Sequence, residues 1–188
     1  YVSGSTVTVR VLVSTDSDLD GWEFGVSWNP GELSLLSQEE GAALKTLAEQ
    51  NDLFVNVEAS IAGGSEGPAA GPGLTQVVVV STSKEGVLPP GSGYELQRLT
   101  FHIEAEPEDP DGEVPVEIMF TDTLGDPVVK NIVVIGDAEV APEYKGGSIT
   151  VKSADECQIA DFTCAGDVDQ SGTNVVHLNW SYLNCDMP

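Results

Sequence analysis

Apolar and polar residues alternate with a period of two through much of this chain. In residues 6–13, Val7, Val9, Val11 and Val13 fall on one side and Thr6, Thr8 and Arg10 on the other, which is the pattern of a half-buried β-strand. An acidic turn, Asp16-Ser17-Asp18-Leu19-Asp20-Gly21, leads to a second alternating run in which Trp22, Phe24, Val26 and Trp28 share one parity. That run stops at Asn29-Pro30-Gly31, and residues 33–36 read as a further short strand. Ser37 and Glu40 have the spacing of a capping box, so a helix is expected from there to Gln50, with Ala42, Ala43, Leu44, Leu47 and Ala48 along it. Residues 53–57 return to strand, and 62–73 form a loop rich in Gly, Pro and Ala. The four valines within 76–81 suit a central strand covered on both faces. In 94–104, Leu99, Phe101 and Ile103 point inward and Thr100, His102 and Glu104 outward. Strands are also expected at 114–120, 128–135 and 148–152. About nine short strands separated by turn signals predict an all-β fold, an antiparallel β-sandwich or jelly roll with one short helix.

Composition narrows the function. The chain has 188 residues with 7 Lys+Arg against 31 Asp+Glu, a formal net charge of -24. Such a balance excludes non-specific nucleic-acid binding, which needs clustered cations, and argues against docking on anionic lipid. No segment approaches the roughly 18 consecutive apolar residues of a membrane-spanning helix. The chain begins at Tyr1 without a signal peptide, so a mature or excised piece of a longer parent is expected. All 3 cysteines lie in the last part of the chain, at Cys157, Cys164 and Cys185. An odd number leaves one thiol unpaired or bonded to another chain, and the compartment reads as oxidising, secreted or at the cell surface.

Residues 2–152 resemble a cohesin domain, the β-sandwich receptor of cellulosome-type assemblies. The resemblance rests on Gly4-Ser5-Thr6-Val7-Thr8-Val9, on Leu19-Asp20-Gly21-Trp22-Glu23-Phe24 and on Val26-Ser27-Trp28-Asn29-Pro30. It continues in Leu96-Gln97-Arg98-Leu99-Thr100-Phe101-His102-Ile103 and in Gly146-Gly147-Ser148-Ile149-Thr150-Val151. Residues 164–185 resemble half of a dockerin, the usual ligand of cohesins, in which a calcium loop opens a helix. The cysteine bracketing is similar to tails of large secreted proteins from planctomycete-type bacteria. These resemblances imply three parts: a sandwich over 1–152, a polar linker over 153–163 and a disulfide-clasped loop–helix appendage over 164–188.

In the appendage, Asp167, Asp169 and Ser171 supply oxygens at positions one, three and five of a calcium loop. Gly172 makes the turn, and Thr173 offers the seventh-position carbonyl. Position twelve falls on Leu178, or on His177 if the loop is one residue short, and neither is the hard oxygen ligand calcium prefers. The same residues also suit a plain glycine turn at a helix N-terminus. A second carboxylate triplet, Asp16, Asp18 and Asp20, reads as an acidic hairpin loop, with a weak calcium site as the alternative. Cys164 and Cys185 are placed to clasp the loop–helix unit, leaving Cys157 spare or intermolecular; pairing of Cys157 with Cys164 is the other arrangement. Asn179-Trp180-Ser181 is a glycosylation sequon on the expected helix, which admits a glycan at Asn179.

Catalytic signatures are missing from the sequence: no serine or cysteine stands in a nucleophile motif, and His102 and His177 form no pair at metal spacing. The expected function is a non-enzymatic extracellular protein–protein interaction and structural assembly module. Its partner is a second copy or another secreted protein, joined head to tail as in a surface fibre. Two alternatives remain: a carbohydrate-binding sandwich using Trp22, Trp28 or Trp180, and a passive spacer domain of a large adhesin.

Overall fold

The computed structural model describes residues 1–50, 54–60, 73–80, 86–109, 112–136, 138–153, 174–179 and 183–184. Alternation becomes strand where a partner is present to take the backbone hydrogen bonds. β1 (Thr6–Thr15) is paired antiparallel along its length with β6 (Gly91–Ile103), Val9 opposite Leu99 and Arg10 opposite Arg98. β3 (Leu33–Glu40) takes the other edge of β6. In the second sheet β2 (Gly21–Trp28) pairs with β5 (Gly73–Val79), which pairs with β4 (Phe54–Ser60). β7 (Glu113–Phe120) lies on the other side of β2 and is followed outward by β10 (Gly147–Lys152). β8 (Ile132–Ile135) also pairs with β2, and β9 (Ala138–Val140) pairs with β8.

The two sheets close on each other through the parities expected from the sequence. Val7, Val9 and Val11 of one sheet and Trp22, Phe24 and Val26 of the other are all buried, as are Leu99, Phe101 and Ile103. Trp28 meets Phe101 edge-on across the sandwich at 4.9 Å, and Phe24 meets Phe120 at 6.2 Å. The inward layer also holds polar side chains, Gln76 and Gln97. Gln76 accepts from the Trp22 indole N–H at 2.9 Å and donates to Gln97 Oε1 at 2.8 Å, so a buried amide is satisfied by groups from both sheets. β5 runs between β2 and β4, the central place expected for the valine run.

The structure corrects several expectations. Ser37 to Glu40 are not a helix cap: β6 is long enough to keep pairing, and after a register shift between Leu35 and Ser37 it holds Ser37 through Glu40 as strand. The helix α1 (Ala42–Gln50) starts only after Gly41, and buries Leu44 and Leu47. Gly41 sits so close to β6 that a Cβ there would lie 2.1 Å from the Glu95 carbonyl oxygen. The strand expected from Val128 begins only at Ile132, because the chain before it folds across the sheet. The helix expected after the acidic C-terminal loop is also replaced. Asn174–Asn179 forms β11, paired parallel with β1, and Leu183–Asn184 forms β12 on its far side. Val175 and Val176 favour the extended backbone, and residues 7–12 of β1 offer it an edge that β6 leaves open. Asn179 therefore ends a strand, opposite Leu12 in register.

Candidate interaction face

Inward residues build the core, so the alternate residues of the same strands build an outer face. On the β10-β7-β2-β5-β4 sheet, Ser27 stands opposite Gly73 on one side and Met119 on the other, Gly25 opposite Thr75, and Glu23 opposite Val77 and Ile132. Small residues keep the centre low. Over them lies a strap, residues 121–131, filling the gap between β7, which pairs with Val26 to Trp28, and β8, which pairs with Gly21 to Glu23.

The strap is fixed at both ends and in the middle. The Thr121 amide donates to the Gly25 carbonyl at 2.9 Å, and the Gly25 amide donates to Asn131 Oδ1 at 3.1 Å. Asn131 in turn donates from its backbone and side-chain nitrogens to Asp122 Oδ1, at 2.8 and 2.6 Å. The Lys130 amide donates to Glu23 Oε1 at 3.1 Å. Between these ties, Leu124 is buried over the glycines: a Cβ on Gly73 would come within 2.3 Å of Leu124 Cδ1, and one on Gly25 within 2.6 Å of the Thr121 carbonyl oxygen. Gly125 turns the chain with φ +88°, a conformation other residues adopt at a cost. The strap leaves Met119, Val79 and its own Val128 exposed, at 51%, 37% and 55%. Beside Met119, a groove of about 340 Å³ runs between Pro115 and Glu117 on β7 and Ser27 and Asn29 at the end of β2. Sequence reading missed this arrangement; its one local signal is a glycine at outward positions 25 and 73 of otherwise well-filled strands.

The opposite sheet presents a different surface. The chain's only arginines, Arg10 and Arg98, face each other across β1 and β6. Glu95, nearly buried, accepts from Arg98 Nε at 3.0 Å and lies 3.6 Å from Arg10 Nη1. One carboxylate thus faces both guanidiniums. Nearby, Ser34 donates to Glu104 Oε1, whose other oxygen is 4.0 Å from His102 Nε2. The order is serine–carboxylate–histidine, whereas a nucleophile needs its serine on the histidine.

The remaining candidates fall as follows. Asp16 and Asp18 are exposed in the β1–β2 turn, where Asp16 Oδ1 accepts from Ser17 Oγ. Asp20 is tied by its backbone, donating to the Val134 carbonyl and accepting from the Val80 amide, both at 2.8 Å. Among the described residues no three His, Cys, Asp or Glu gather into a group that can hold a metal. Asp167, Asp169, Ser171, Thr173, Cys157, Cys164, Cys185 and Trp180 lie outside the described residues. Trp22 and Trp28 are buried, which removes them from any sugar-stacking row.

Among solved structures the chain is similar to a cohesin from scaffoldin B of Acetivibrio cellulolyticus, solved with a dockerin. The TM-score is 0.53 at 16% identity, over 81% of this chain and 92% of that one. It is also similar to the OlpC cohesin of Clostridium thermocellum in a cohesin–dockerin complex, with TM-score 0.51 and 10% identity over 81% of this chain and 98% of that one. The OlpA cohesin of the same organism, likewise in complex with a dockerin, gives 0.51 and 11% over 81% and 92%. No protein-family model and no curated protein sequence matches the chain. Its described strands thus have the fold of cohesin modules.

Proposed function

We propose that this chain is a non-enzymatic, extracellular protein–protein interaction and assembly module. The observation that carries the reading is a cohesin-type sandwich whose outer sheet face ends in exposed Met119, Val79 and Val128. Apolar side chains on a fixed surface are what a protein partner can cover, and the similar cohesins named above were each solved with a dockerin. The serine–carboxylate–histidine order on the other face supports a non-catalytic role. A net charge of -24 and three cysteines fit an oxidising exterior. Among the described residues no helix is long and apolar enough to cross a membrane.

In this reading copies join head to tail, and the acidic loop from Asp167 to Thr173, with calcium, and the cysteines serve the joint. Light scattering across protein concentration, with calcium or chelator and with or without reductant, tests it. Concentration-dependent oligomers that weaken on Met119→Asp support the reading. A strictly monomeric species under every condition sinks self-assembly.

A further inference from the structure

At one side of the sandwich the two sheets part over a second groove, away from Met119. Its floor is Val13 at the end of β1, Leu19 in the following turn and Val133 on β8, all buried. Ile135 and Pro142 extend the apolar wall, and the space is about 380 Å³. The rim carries two exposed carboxylates, Asp16 from the β1–β2 turn and Glu143 from the segment leading to β10. Among the described residues no basic side chain lines it.

An apolar floor under an acidic rim selects a ligand with both characters. A long aliphatic stem can lie on the valines while its terminal cation stays at the wet rim, as lysine and arginine side chains do on protein surfaces. A terminal carboxylate on the same stem meets like charge from the rim, within a chain of net charge -24. The volume is of the size that holds small ligands and single side chains. The geometry points to this groove as the anchor pocket for a lysine or arginine side chain of a protein partner. This rests on the reading of the chain as a docking module, and it gives Asp16, first noted for a metal triplet, a role at a rim.

The test is a nuclear magnetic resonance titration of the intact chain with n-hexylammonium chloride and, separately, sodium hexanoate. Hexylammonium is expected to shift Val13, Val133 and Ile135 with a dissociation constant of ~1–10 mM, the weak range for so small a ligand. Hexanoate is expected to bind those residues at least about fivefold more weakly, the size of effect two exposed charges supply. Asp16→Asn keeps the oxygen that Ser17 uses, and combined with Glu143→Gln it is expected to abolish the preference for the cation. Glu143→Gln alone is expected to lose about half of that preference on a logarithmic scale. Equal binding of the two probes, or no shift at the three reporters, overturns the proposal. Light scattering on the same samples reads self-association independently, so failure of the groove is distinguishable from failure of the docking reading.

Discussion

Gln76 shows how a residue's meaning comes from its neighbours. It opens the valine run, and by type it belongs outside, yet it is fully buried between the Trp22 indole and Gln97. Gln76→Ala deprives a buried N–H and a buried amide oxygen of their partners at once, so a loss of about 1–3 kcal/mol is expected, more than a polar side chain on the surface contributes. Urea unfolding measures it, and an unchanged midpoint would show that the bonds are replaced by water. The valine run has no alternation to report, so neither the inward direction of Gln76 nor its pairing was legible in the sequence. A period of two gives the direction of a side chain and says nothing of what waits there.

At the scale of elements, the strap over residues 121–131 depends on a close approach to two strands. Gly73→Ala places a methyl against Leu124 and the Val26 carbonyl oxygen, and a destabilisation of about 1–3 kcal/mol is expected from the overpacking. Leu124→Ala alone loses a buried side chain. The double variant is expected to cost less than the sum, because removing the leucine relieves part of the clash. Thermal unfolding of the four proteins gives the coupling, and strict additivity would mean that Leu124 does not sit over Gly73. The strap was not legible because one leucine among Thr121, Asp122, Thr123, Gly125, Asp126 and Pro127 has no periodicity to report. The capping-box spacing at Ser37 misled for a related reason. Four residues suit a helix start, but a strand partner as long as β6 offers more hydrogen bonds than a cap.

On the scale of the whole molecule, charge dominates: 31 acidic residues against 7 basic ones repel one another in the folded state. Raising salt from ~10 mM to ~1 M shortens the screening length from ~30 Å to ~3 Å, and the melting temperature is expected to rise by about 2–5 °C. A melting temperature that falls with salt would show that ion pairs such as Arg98–Glu95 outweigh the repulsion. The same screening brings acidic copies together, so self-association belongs at moderate rather than low salt. By itself, the sequence determined the all-β class, the residues of β1, β2 and β6 that face inward, the helix near Leu44 and Leu47, and the acidic exterior. Each follows from local spacing or from counting, and local spacing sets the direction of a side chain. Only the tertiary structure decided that β6 joins β1 to β3, that β7 and β8 share one side of β2, and that residues 121–131 cross the outer face. It also decided that Asn174–Asn179 adds to β1 as a strand. Those choices depend on which distant backbone edge is open and which side chain is small enough to be approached, and neither is written in any one stretch of chain.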